Sequence, residues 1–157
     1  MCIRDRYLPI DSYGSWRRNC VLDEDRGYIT KLDVIKQYKF TIAFENAVSK
    51  DYVTEKFFEP LIVGSVPVYL GAPNIEMFSP GERAFIDVRN YASPKSLADD
   101  IMKYCQDISK YNVLLGWKKK PLSGGMKKLI NEQQVHAFIR MVMLAKNRIE
   151  LLNKTEM

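Results

Sequence analysis

Apolar and polar positions along this chain switch between a two-residue period and a helical one, and the switches divide it into strands and helices. Residues 7–37 are polar and irregular. Asp11-Ser12-Tyr13-Gly14 reads as a turn, and Leu32, Val34 and Ile35 as a short apolar contact ahead of the first clear element. Lys39 to Phe44 is a β-branched and aromatic run that stops at the polar pair Glu45-Asn46, the mark of a strand leaving a sheet for a loop. Ser49 and Asp51 are good helix caps, Thr54-Glu55-Lys56 predicts a first turn, and Phe57, Leu61 and Ile62 supply a buried stripe that Gly64 terminates. Val66 to Leu70 predicts a second, parallel strand that ends in the turn Gly71-Ala72-Pro73. Asn74 to Phe78 has room for one helical turn, Ser79-Pro80-Gly81 breaks it, and Ala84 to Val88 predicts a third strand. Ser93-Pro94 joins an N-cap to a proline at the first helical position, opening a helix with Leu97, Ile101 and Tyr104 on one face. Beyond Ser109 the pattern is helical around Tyr111 to Trp117, flexible over Pro121 to Gly125, and helical again from Asn131 to Leu152. Val135, Phe138, Ile139, Val142, Ile149 and Leu152 form the stripe of that last helix. Strands alternating with helices through short loops predict an α/β fold with a parallel sheet, followed by a helical tail.

Composition narrows the possible partners. The 157 residues are 46% hydrophobic and 11% aromatic, which is enough apolar material for one domain with a real core. The 24 Lys and Arg and 19 Asp and Glu leave a net charge of +5, but the charges are interspersed. A phosphate-bearing small molecule therefore fits as well as a nucleic acid, and no recognition motif supports the latter. The one basic cluster, Lys118-Lys119-Lys120 with Lys127-Lys128, reads as a solvated face. Cys2, Cys20 and Cys105 lack the spacing of a zinc site and have a single histidine, His136, to join them. Asp23-Glu24-Asp25 superficially resembles a metal-binding DxD, but it lies in a polar loop with no apolar strand before it. No stretch has the length of a membrane-spanning helix or of a signal-peptide core. Residues 1–6, MCIRDR, fit no element and read as a non-native start.

In a parallel α/β sheet, ligands bind where strands end and helices begin, because free N–H groups and the positive end of the helix dipole face an anion there. The segment from Tyr38 to Lys56 meets that description. Asn46 at the strand exit can donate to a phosphate or a sugar hydroxyl. Lys56 can place a charge on a diphosphate, Glu55 can accept from ribose hydroxyls, and Tyr52 offers a flat face with a hydroxyl at its tip. The same residues also occur as plain surface, turn and packing positions, and spacing alone leaves both readings open.

The run YKFTIAFENAVSKDYVTEKFFEPLIVGSVPVYLGAPNIEMFSPGERAFI resembles the signature of the α1,3-fucosyltransferases: a YKF-apolar-FEN strand, a DYVTEK helix start, a VPV strand and a GAPNI loop. The lead-in DSYGSWRRN resembles the segment that precedes this signature, with Trp16 where the family usually has cysteine, and Ser93 to Pro121 resembles its continuation. The resemblance implies the Rossmann-like C-terminal half of a two-domain GT-B glycosyltransferase. It divides the chain into a GDP-fucose-binding unit at 7–121 and a helical extension at 122–157. It implies GDP-fucose as donor, with Asn46 and Lys56 on the diphosphate, Glu55 on the ribose, Tyr52 lining the pocket and Glu45 in the same turn. No metal is obligatory in the chemistry it implies. The transfer it implies is inverting, to a glycan or glycoprotein hydroxyl and with an α1,3 linkage. The acceptor base and an arginine for the diphosphate are expected upstream of these residues, so the chain alone is expected to bind donor poorly and catalyse little. A Golgi lumenal setting, with a membrane anchor outside the chain, follows from the same resemblance, and the Asn153-Lys154-Thr155 sequon is compatible with it. Another nucleotide-sugar transferase of the same architecture, or a nucleotide-binding module without catalysis, are the alternatives.

Overall fold

A computed structural model describes residues 7–15, 18–22, 24–131 and 142. Three parallel strands, β1 (Phe40–Phe44), β2 (Val66–Leu70) and β3 (Ile86–Asp87), form a sheet in that order. Phe40 is in register with Val66 and Val68 with Ile86. Because side chains alternate across a strand, the two faces of the sheet collect different partners. Ala43 and Tyr69 face one side, where Phe57, Phe58 and Leu61 of helix α2 (Glu55–Val63) join them. Val66, Val68 and Ile86 face the other, against Ile101 of α3 (Pro94–Gln106) and Tyr111 and Leu114 of α4 (Ile108–Leu114). The parallel α/β expectation is met.

Helix α2 is more buried than its predicted stripe. Phe57 to Leu61 are all buried, because the helix is clasped between the sheet and a further helix, α1 (Tyr28–Ile35). Burial of Phe57, Phe58 and Leu61 contributes roughly 2 kcal/mol each. Glu59 is only 1% exposed within this packing, and Lys31 of α1 places its Nζ 2.6 Å from Oε2. That pairing matters, since a lone carboxylate at such a position would be severely destabilising. Gly64 ends the helix with φ 96, and the N–H groups of Gly64 and Ser65 both donate to the Pro60 carbonyl. A glycine is favoured there because other residues are strained at positive φ.

Four sequence expectations change. The irregular lead-in contains α1, which lacks a side-chain cap on its own N-cap residue, Gly27. Its start is held instead by Asp25, which accepts from the Gly27 N–H, and by Thr30, which accepts from the Arg26 N–H. The cap of α2 is Thr54 rather than Ser49 or Asp51. The third strand pairs only over Ile86–Asp87, and Asp87 then caps a 3-10 turn at Val88–Asn90. Gly124 and Gly125 begin α5 (Gly124–Asn131) instead of a flexible link. Gly125 lets that helix press on the 3-10 turn Ile75–Phe78, where a β-carbon would stand 2.7 Å from the Met77 carbonyl oxygen. The tail helix lies outside the described residues except for Asn131, which closes α5, and Val142, which is buried in the α2-side core.

Candidate functional site

The exit of β1 and the start of α2 meet through buried polar contacts. The Glu45 side chain is 0% exposed, and both its oxygens are held by Thr54, whose N–H donates at 2.8 Å and hydroxyl at 2.7 Å. That hydroxyl in turn accepts only a long contact, 3.4 Å, from the Lys56 N–H. The first turn of α2 is therefore fixed in place while its Lys56 N–H stays weakly occupied. Lys56 donates to Asn46 Oδ1 at 2.7 Å, and its Nζ lies 3.9 Å from Glu45 Oε2. An ammonium group and an amide thus stand together at the positive end of a helix, an arrangement suited to a phosphate.

Of the predicted site residues, Asn46, Lys56 and Glu45 come together directly, with Glu45 turned inward onto Thr54 and away from solvent. Glu55 is the first residue of α2 and half-buried; its carboxylate has no hydrogen bond or ion pair among the described residues. Tyr52 is 38% exposed on the approach to the helix. Among the described residues of the acidic run, Asp25 is committed to Gly27, and Asp23 lies outside them. Trp16, His136 and the Asn153 sequon also lie outside the described residues.

Three further residues shape the site and were not singled out from sequence. Tyr69 stands edge-on to Phe57 with ring centroids 5.1 Å apart, and its hydroxyl accepts from the buried Ala72 N–H at 2.9 Å. Burial pushes the Tyr69 phenol up to about 12, with the Ala72 N–H opposing the shift. At Gly71 a β-carbon would lie 2.4 Å from the Tyr69 hydroxyl and 2.5 Å from Glu45 Cγ, so glycine is what lets the β2 exit pass over both. Asn74 bonds Asp51 twice: its Oδ1 accepts from the Asp51 N–H at 3.0 Å, and its Nδ2 donates to Asp51 Oδ1 at 2.7 Å. Asp51 has φ 62, a conformation that aspartate tolerates better than most residues. That tolerance is the sequence signal that could have flagged it. The site is an open surface at the strand ends. A cavity of about 280 Å³ lies elsewhere, against α3 and α4, lined by Arg83, Lys103 and Lys110 among others, and it shares no residue with this cluster.

Residues 3–149 match Glycosyltransferase family 10 (fucosyltransferase), C-terminal part. The chain belongs to this family. In keeping with that, it is 42% identical over 120 residues to GDP-fucose protein O-fucosyltransferase 3 of Canis lupus familiaris, a match covering 73% of this chain and 25% of that protein. A solved α1,3-fucosyltransferase superposes with a TM-score of 0.61 at 24% identity, covering 72% of this chain and 30% of that one. An α1,3-fucosyltransferase solved with GDP-fucose superposes at 0.54 with 25% identity, covering 65% and 29%. This family 10 chain thus spans about a quarter of the length of the curated relative it matches. Its α/β fold is that of part of a GT-B glycosyltransferase, and the family match is to the C-terminal region.

Proposed function

We propose that residues 7–121 supply the GDP-fucose-binding part of a fucosyltransferase, with 122–157 a C-terminal extension of it. The observation that carries this reading is the Lys56 ammonium held 2.7 Å from Asn46 at the head of α2. In this reading Asn46 and Lys56 take the diphosphate, Glu55 the ribose hydroxyls and Tyr52 the wall of the pocket. Glu45 acts from beneath by fixing Thr54. The acceptor oxygen attacks the fucose anomeric carbon while the bond from that carbon to the diphosphate oxygen breaks. The bond pair leaves with GDP, so the configuration inverts. Charge grows on the departing diphosphate, where Lys56 and the helix N–H groups oppose it. The acceptor proton passes to a carboxylate base that we assign to a part of the protein beyond these residues.

An α1,3 linkage to a glycan is the favoured product, supported by the two solved α1,3-fucosyltransferases. The likeness to a protein O-fucosyltransferase favours a second acceptor, a hydroxyl on a polypeptide. A Golgi lumenal location belongs to the same proposal. Calorimetric titration of the chain with GDP, UDP and GDP-fucose tests the donor assignment. GDP and GDP-fucose are expected to bind and UDP to bind at least several-fold more weakly; equal binding of UDP would refute the fucosyl reading. Lys56→Ala is expected to weaken GDP about tenfold or more while costing only about 1 kcal/mol of stability, because buried Glu45 keeps both hydrogen bonds from Thr54 when the ammonium 3.9 Å away is removed.

A further inference from the structure

We infer that Asn74 is a positioning residue for this donor site, acting through Asp51 on the loop that delivers Tyr52, Thr54 and Lys56. The inference rests on the donor reading above. Asn74 belongs to the β2 exit and Asp51 to the β1 exit, 23 positions apart in sequence, yet the two form a closed pair of hydrogen bonds. Each bond has a fixed direction: the backbone N–H of Asp51 donates to the amide oxygen, and the amide nitrogen donates to the carboxylate. The pair also holds Asp51 at φ 62, a left-handed conformation that costs a non-glycine residue some backbone strain. Everything downstream is short. The Val53 N–H donates to the Asp51 carbonyl and the Tyr52 N–H to the Ser49 carbonyl, so a rotation at Asp51 displaces Tyr52 and Thr54 with it.

Two anchors therefore locate the start of α2. Glu45 grips Thr54 from the sheet side, and Asn74 grips Asp51 from the neighbouring loop. Asn74 is itself fixed, since its carbonyl accepts from the Met77 N–H and its amide nitrogen lies 3.7 Å from Met77 Sδ. Neither Asn74 nor Asp51 has to touch the nucleotide for this effect. A loop that is correctly placed for only a fraction of the time binds with an affinity reduced by that fraction.

The directions of the two bonds supply the test. Asn74→Asp sets two carboxylates against each other, removing the donor to Asp51. Asp51→Asn alone keeps an acceptor for Asn74. The double variant Asp51→Asn with Asn74→Asp restores both bonds with the roles exchanged, since the new carboxylate accepts from the backbone N–H and from the new amide. In titrations of the full chain with GDP, Asn74→Asp is expected to raise Kd about tenfold, and the double variant to return it to within about threefold of the parent. Thermal midpoints should stay together, which a general loss of packing would not allow. Hydrogen exchange without nucleotide gives a second readout: the Asp51 to Thr54 amides should exchange faster in Asn74→Asp and recover in the double variant. A double variant as weak as Asn74→Asp, or an Asn74→Asp variant as tight and as protected as the parent, would overturn the inference. If the parent fails to bind GDP, the positioning role falls with the donor reading. The exchange data then show separately whether the pair holds the loop.

Discussion

Two helix starts in this protein solve the same problem in opposite ways. Helix α3 begins at Pro94 with a capping box in which Ser93 and Ser96 satisfy one another. Its charges follow the same local rule, Lys95 pairing with Asp99 one turn away and Lys103 with Asp100. Helix α2 begins at Glu55, and what fixes it comes from other elements: Glu45 from the end of β1 and, through Asp51, Asn74 from the loop after β2. A self-capped start can form wherever the chain permits it, with its Ser96 N–H taken up by its own cap. A start fixed from outside forms only in the assembled fold, and here its own cap makes only a 3.4 Å contact with the Lys56 N–H. The difference separates the helix start that carries the proposed donor site from one that does not.

The largest expected effect comes from crowding the externally fixed start. Gly71→Val drives a side chain into Tyr69 and Glu45 together, and denaturant unfolding should show a loss of about 2–3 kcal/mol along with GDP binding. Removing the anchor without crowding is milder. Glu45→Ala leaves the Thr54 N–H and hydroxyl without their charged acceptor and is expected to cost about 2 kcal/mol in the same assay, with faster exchange at Thr54 and Lys56. The self-capped start should respond in stability alone: Ser93→Ala is expected to cost about 1 kcal/mol and leave GDP affinity unchanged. A change in affinity there would break the comparison. The smallest effect belongs to a third start. Asp107 caps α4, and the Lys110 and Ser109 N–H groups hold its carboxyl below its usual value of 3.8. Because the folded value is the lower one, its stabilisation is complete above the unfolded value and is lost as pH falls through the folded one. Acid titration of Asp107→Asn should lack that part of the slope.

The candidate site's residues could be named from sequence, but the contacts that hold them together could not. Val66–Leu70 was expected as the second strand and is found as such, because its valines and tyrosine form a bounded β-branched and aromatic run, although Pro67 lies inside it. Ser93-Pro94 was equally plain, since all the chemistry that starts α3 is local. Asn46, Tyr52, Glu55 and Lys56 could be named from the strand-loop-helix pattern and the family resemblance together. Thr54 was missed as the cap because Ser49 and Asp51 are equally good caps by residue type, and only the Glu45 side chain chooses between them. The Asn74 to Asp51 pair was unreadable for a similar reason: both residues are ordinary in turns, and only the parallel pairing of β1 with β2 brings their loops together. Helix α1 was hidden because its cap sits outside the helix and its buried face amounts to Thr30 with a few half-buried neighbours.

The Lys31 and Glu59 pair sets where a self-sufficient piece of this protein can begin. The recognisable signature opens at Tyr38, and a domain boundary drawn on that basis would discard α1. The remainder would bare the face of α2 that α1 covers and leave the Glu59 carboxylate without its cation. The smallest unit able to fold around the proposed donor site therefore reaches back at least to Asp25, whose side chain starts the helix that carries Lys31.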